Sequence, residues 1–180
     1  MGQPDPSLIL RALTAYQLPM ALKGAIELDI FTQIAAGVTT AAKLAPLVKA
    51  SEKGVRVLCD YLTVSGFLQK HDGAYSLTPE TGIFLDKKSP AYMGSVAGFL
   101  AHDTMRNNFS DVAALVRKGG AVFHEMLGPE DSLWVEFARS MAPMMSMPAQ
   151  MIAAKVAGTD PKKVLDIAAG HGIFGLAVAR

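Results

Sequence analysis

Residues Ser51 to Thr78 read SEKGVRVLCDYLTVSGFLQKHDGAYSLT, and the organisation of the chain follows from how that stretch must fold. Ser51 can cap a helix, because its hydroxyl can accept from an otherwise unpaired N–H of the first turn. Val55, Leu58, Cys59 and Leu62 then recur at i, i+3, i+4 and i+7, which puts them on one helix face. Gly66 supplies the left-handed residue that ends such a helix. Beyond it, FLQKH and AYSLT flank Asp72-Gly73, and that dipeptide between two strand-like runs predicts a tight hairpin. Just upstream, Thr39 and Thr40 can cap a shorter helix carrying Leu44, Leu47 and Val48. Helix, turn, helix and β-hairpin in this order spell a winged helix.

A winged helix raises the question of nucleic acid, and the residues argue against it. The second helix sets Lys53 and Arg56 against Glu52 and Asp60, with no cluster of Arg, Asn or Gln to read base edges. The wing adds Lys70 and His71 but also Asp72. Over the whole chain 17 Lys and Arg face 16 Asp and Glu, a net charge of +1 that exerts no general pull on nucleic acid or anionic lipid. Neither a nucleic-acid nor a membrane partner is expected.

On the N-terminal side, Leu8, Leu13, Leu18, Leu22, Ile26, Leu28 and Ile30 predict helix from Pro6 to about Ala36, broken or kinked at Pro19 and Gly24. These apolar helices are either core or a dimer interface, and the interface is the preferred reading. On the C-terminal side, Ala91 to Gly120 predicts one or two helices ended by Gly119-Gly120. GPEDS then opens a further helix, with acids at the positive end of its dipole. Leu133, Trp134, Phe137 and Met141 share a face of that helix, and five of the ten methionines fall between Met141 and Met151. Flexible core filler and an adaptable wall for a small apolar or aromatic ligand explain those methionines equally well.

The chain has 180 residues, 51% hydrophobic and 18% charged, which marks it as globular. A mean hydropathy of +0.27 predicts apolar faces buried against a partner chain or a further domain. Cys59 is the lone cysteine, so no internal disulfide exists, and a reducing, cytoplasmic setting is expected. No apolar run approaches the eighteen or so residues of a membrane span, and MGQPDPS lacks a signal-peptide pattern. The four histidines stand at no metal-ligand spacing, and no nucleophile elbow is present. No metal site is therefore expected, and no catalytic residue is assigned.

The chain closes on VLDIAAGHGIFGLAVAR. Lys162 to Ile167 predicts a buried parallel strand, leading through AAGHGIFG into a helix. Gly170, Gly172 and Gly175 satisfy G-x-G-x-x-G, a pattern shared by several nucleotide folds. Asp166 is more telling. A carboxylate at a strand end beside a glycine turn can anchor the cationic amino-acid end of S-adenosylmethionine, directly or through water, whereas a dinucleotide has no such need.

Taken in order, these segments resemble the N-terminal part of the caffeate-type (family 2) small-molecule O-methyltransferases, bacterial type. ALKGAIELDIF is similar to that family's early helix. AAKLAPLVKA and VRVLCDYLTVSGFLQKHDGAYSLTPETGIFL are similar to its winged helix, WVEFARSM to its "F…aM" helix and VLDIAAGHG to its "vvDvGgGtG" motif. The resemblance implies a mainly helical winged-helix domain over residues 1–158 that serves dimerisation and substrate capping. Residues 159–180 would then open a Rossmann-like α/β domain, truncated here. It implies that Asp166, Ala168, Ala169, Gly170 and Gly172 contact the methionine part of S-adenosylmethionine. Phe137 and Met141 would line the junction of acceptor and cofactor, with Trp134 at its flank. It implies a homodimer through the N-terminal helices and winged helix, and a small hydroxylated aromatic or polyketide-like acceptor.

Two departures stand out. Ala168 replaces the motif's first glycine, which is tolerable where φ is negative and damaging where it must be positive. The family's ribose-binding acid, adenine contacts and histidine base would all follow Arg180, so a longer parent enzyme is expected. Three alternatives remain open: a dimeric winged-helix DNA-binding regulator, a methyltransferase-like binding protein without turnover, and an NAD(P) oxidoreductase.

Overall fold

The computed structural model describes residues 4–107, 109–120, 132–159, 161–167 and 169–180. They form two compact units, Met1–Tyr92 and Met93–Arg180.

The first unit begins with helices α1 (Ser7–Thr14), α2 (Gln17–Glu27) and α3 (Ile30–Ala35). The break between the first two falls at Ala15 and Tyr16, and neither of the two expected breakers makes it. Pro19 lies in the first turn of α2, where its missing N–H costs no hydrogen bond. Gly24 stays inside α2, with nothing within 4 Å of where a Cβ would stand. The turn into α3 comes instead at Asp29, whose φ of 63° is left-handed. Lys87 holds that corner by pairing with Asp29 at 3.1 Å. The Lys87 backbone N–H also donates to the buried Thr32 hydroxyl at 3.0 Å.

Helices α4 (Ala41–Leu47) and α5 (Glu52–Val64), strands β1 (Leu68–His71) and β2 (Ala74–Leu77) and helix α6 (Pro79–Phe84) complete this unit. They form the winged helix expected from the sequence. Ser51 accepts from the Gly54 N–H at 3.1 Å and caps α5, and Gly66 leaves the helix at φ +83°. Asp72 and Gly73 both take positive φ, 47° and 79°, as a two-residue turn matched to strand twist requires. The strands pair antiparallel, Leu68 opposite Leu77 and His71 opposite Ala74. Thr40 stands at the N-cap of α4, but its side chain makes no capping bond. The backbone carbonyl of Thr39 accepts the Tyr75 N–H at 2.6 Å and ties the segment before α4 to the wing.

One continuous core fills the unit: Ala25, Ile30, Phe31, Ile34, Leu44, Ala45, Val55, Cys59, Leu62, Leu68 and Tyr75 are all nearly or wholly buried. Three of the four residues expected on the α5 face are in it, and Leu58 packs at its edge.

The second unit holds α7 (Val96–Leu100), α8 (Asp103–Asn107), α9 (Val112–Lys118), α10 (Ser132–Ala157) and α11 (Ile173–Val178). Where one or two helices were expected before Gly119, three short ones stand. His102 Nδ1 accepts the Thr104 N–H at 3.2 Å and Asp111 accepts the Ala114 N–H at 2.9 Å, so each starts a new helix. Gly119 ends α9 at φ +79°, as expected. Of the GPEDS helix start, residues 128–131 lie outside the described residues. Pro143 and Pro148 both fall inside α10.

The strand expected over Lys162–Ile167 does not form. Among the described residues this segment has no ladder partner, and strand geometry needs one. The helix expected after the glycine turn is present as α11, and it packs on α10. Among the described residues no helix is long and apolar enough to cross a membrane.

Candidate functional site

The glycine turn is built around one carboxylate. Asp166 is half-buried, and its Oδ2 accepts the backbone N–H of Gly175 at 3.0 Å, across nine residues of chain. Between them the backbone reverses through Gly170 at φ +56° and Gly172 at φ +70°. A side chain at either would be strained, which gives a local reason for glycine in both places. Gly172 then stands at the N-cap of α11. His171, between the glycines, accepts the Ile173 N–H on Nδ1 at 3.3 Å and stacks on Phe174, with ring centroids 6.2 Å apart. Ala169 is exposed beside Gly170, and Ala168 lies outside the described residues.

The second group lies on α10. Phe137 meets Trp134 edge-on at 6.4 Å between ring centroids, and Phe99 of α7 meets Phe137 at 4.9 Å and 69°. Such edge-to-face contacts fix ring orientation beyond what burial alone does. Trp134 keeps 48% of its surface exposed, Phe137 and Met141 are half-buried, and the group forms a partly open aromatic face. The core-filler reading of the methionines is corrected for Met144, Met147 and Met151. They are 38%, 71% and 62% exposed and fill no core in this chain.

Four residues here, Phe99, Gly175, Glu136 and Gly98, carry no signal of their role in the sequence. Phe99 was unremarkable in an apolar helix, and only the fold brings it to Phe137. Gly175 was counted as part of a pattern, without its bond to Asp166. Glu136 accepts from the buried Ser140 hydroxyl at 3.2 Å, and a Cβ at Gly98 would lie 2.5 Å from Glu136 Oε1. Gly98 thus lets α7 approach α10 closely enough for the aromatic contact next to it.

In the first unit Lys53, Arg56, Lys70 and His71 of the winged helix are exposed, and Lys70 is spent on a neighbour within the fold. Lys70 pairs with Asp60, which also accepts the Tyr75 hydroxyl at 2.7 Å, and Lys70 lies 4.9 Å over the Tyr75 ring. The Lys70 and Tyr75 contacts hold the Asp60 carboxyl below its ordinary range. The wing and the second helix therefore satisfy each other. A groove of about 590 Å³ opens along α2 and α5, lined by Gln17, Ala21, Lys53, Val57, Leu58 and Tyr61 among others. Helix α1 has no buried residue, and its Leu8, Ile9, Leu10 and Leu13 are 57–73% exposed. Among the described residues no group of three or more His, Cys, Asp and Glu could hold a metal ion.

Residues 10–87 match the O-methyltransferase dimerisation domain. No curated protein matches the chain in sequence. Among solved structures, a candidate O-methyltransferase from Nostoc punctiforme PCC 73102 is 44% identical, with a TM-score of 0.91 over 98% of this chain and 54% of its own. Human N-acetylserotonin methyltransferase, solved with S-adenosylmethionine, is 21% identical, with a TM-score of 0.68 over 86% of this chain and 50% of its own. A methyltransferase of calicheamicin biosynthesis, solved with S-adenosylhomocysteine, is 18% identical, with a TM-score of 0.76 over 99% of this chain and 56% of its own. The latter two likenesses are ones of fold. The chain spans about half the length of these proteins.

Proposed function

The chain belongs to the caffeate-type (family 2) O-methyltransferases, as an N-terminal part carrying the dimerisation domain, and on that premise we propose that it serves S-adenosylmethionine-dependent methyl transfer to a small aromatic or polyketide-like hydroxyl acceptor. The observation that carries this reading is the Asp166 turn. One oxygen of the carboxylate is spent on Gly175, and two left-handed glycines keep the backbone bare around it. The carboxylate keeps acceptor capacity on Oδ1, and an ammonium group there would form a charge-assisted hydrogen bond. In this reading Asp166, Ala168, Ala169, Gly170 and Gly172 hold the amino-acid end of the cofactor. When bound, S-adenosylmethionine supplies a methyl group on an electrophilic sulfonium centre.

The chain's own residues position and exclude. Phe137 and Met141, with Trp134 at the flank, hold the acceptor ring and keep water from the reacting oxygen. Transfer in this class needs in-line alignment above all, and alignment is what a fixed aromatic face contributes. The acceptor proton must go to a base, and no residue of this chain is assigned that role. Residues 1–158 would act as the dimerisation and substrate-capping part, and 159–180 as the start of the cofactor part. The homodimer would form through the N-terminal helices and winged helix, burying the exposed apolar side chains of α1.

Calorimetric titration of the full-length protein with S-adenosylhomocysteine tests the reading. Binding is expected, and Asp166→Ala should weaken it by about ten-fold or more, the worth of a hydrogen bond to a charged group. Absence of binding, together with salt-sensitive association with duplex DNA, would replace this reading with that of a winged-helix regulator. Binding without methyl transfer to any phenolic acceptor would leave a binding protein.

A further inference from the structure

Asp166 does not stand alone in its turn, for Gly175 lies directly against it. The bond between them closes a nine-residue loop, at 3.0 Å from the Gly175 N–H to Oδ2. Contact extends beyond that one oxygen. A Cβ built on Gly175 would lie 3.0 Å from Asp166 Oδ2, 3.1 Å from its Cβ and 3.5 Å from its Cγ. The root of the Asp166 side chain is touched as well as its tip, so rotating the carboxylate could not relieve the crowding. Either the side chain or the first turn of α11 would have to move.

Conformation gives no other reason for glycine here. Gly175 lies inside α11 and is absent from the positive-φ glycines, unlike Gly170 and Gly172. Alanine is the better helix former at such a position. The space taken by Asp166 is therefore what an alanine would violate.

We propose that Gly175 is a positioning residue: its N–H and its bare Cα fix the Asp166 carboxylate with one oxygen bound to α11 and the other presented to the ammonium group of S-adenosylmethionine. The proposal rests on the S-adenosylmethionine reading given above and adds to it the group that orients the acid. It makes a distinction that general loss of packing does not. Only ligands that carry the amino-acid end should sense Gly175.

The test compares two ligands on the full-length protein by calorimetry. S-adenosylhomocysteine has the ammonium group; 5′-methylthioadenosine lacks the amino-acid end but keeps the adenosine. Gly175→Ala should weaken S-adenosylhomocysteine by roughly 10- to 100-fold, the range for one hydrogen bond to a charged group, and leave 5′-methylthioadenosine within about two-fold. Equal weakening of both would overturn the proposal and make Gly175 a general packing residue. So would unchanged binding of both. If Gly175→Ala does not fold, Asp166→Asn supplies the second arm. Its amide oxygen can still accept from Gly175, leaving the NH2 group facing the ammonium, and the same selective loss is expected. Equal loss of both ligands there, or none, counts against the proposal in the same way. Failure of the wild-type protein to bind either ligand would instead remove the S-adenosylmethionine reading itself.

Discussion

The winged helix and the stretch from α10 onward are both rich in apolar residues, yet they use them in opposite ways. In the first, Phe31, Leu44, Leu62 and Tyr75 are essentially withdrawn from solvent around one core. In the second, Met147, Met151, Leu165, Ile167 and Leu176 are 59–84% exposed, and only Gly94, Val96, Ala101, Ser140 and Ala149 are buried among the described residues of that unit. Similar composition thus yields a finished core in one place and an open face in the other. The difference lies in how far each apolar residue must look for its partner. The hairpin and α5 find theirs within the stretch from Ala25 to Tyr75, whereas a parallel strand needs neighbours from other strands of a sheet.

The largest expected contrast comes from paired truncations. Leu62→Ala should lower the unfolding free energy of the first unit by about 2–5 kcal/mol, through lost burial and a residual cavity. Leu165→Ala, at a side chain 84% exposed, should stay within about 0.5 kcal/mol. Urea unfolding of the two variants checks this, and equal costs would break the comparison. In a protein where Leu165 lies in a completed sheet its cost should rise, which would sharpen it.

Chemical modification gives an intermediate effect. Burial pushes the Cys59 thiol up to about 11, with the nearby Asp60 charge adding to it. Alkylation at pH 8 should therefore wait for unfolding, while dilute peroxide should oxidise the exposed Met147 in the folded chain. Mass spectrometry after a short pulse reads both. Rapid Cys59 labelling in native protein would contradict the closed core.

The smallest effect concerns acid. Burial raises the Asp29 carboxyl, but Lys87, Thr32 and Gln33 together outweigh it, so the group sits below its ordinary 3.8. Asp60 is lowered as well, chiefly by Lys70 and then by Tyr75. A carboxyl lowered by folding stabilises the fold above 3.8, and that contribution is lost as pH falls through the lowered value. Asp29→Asn should thus reduce stability at pH 7 by no more than about 1 kcal/mol and flatten its decline below pH 4, since the pair is partly solvated. Thermal midpoints across pH 2–7 measure it, and a steeper acid decline in the variant would refute the assignment.

Legibility in the sequence followed the same division. Ser51, Gly66 and Asp72-Gly73 each act within a few residues of themselves, and each does in the structure what its chemistry implies. Pro19 and Gly24 misled because a proline in a first turn costs little and tertiary packing tolerates a helical glycine. Thr39 and Thr40 are both cap candidates by type, yet Thr40 at the N-cap makes no side-chain bond and Thr39 gives its backbone carbonyl to the hairpin. At the candidate site, Asp166 and the glycines stood out by type and spacing. Phe99 and the Gly175 bond could not, because no local pattern records which distant group a backbone N–H will meet.

By itself the sequence determined the winged helix, its caps and its turn, the balanced charge, and the presence of an acid beside a glycine turn. Those are short-range matters of periodicity, capping and permitted φ. Tertiary structure alone decided that Asp60 would consume Lys70, that Gly98 would admit Phe99 to Phe137, and that Lys162–Ile167 would lack a strand partner. Each of these depends on groups far apart in the chain meeting in space, and the free energy of such a meeting belongs to the pair.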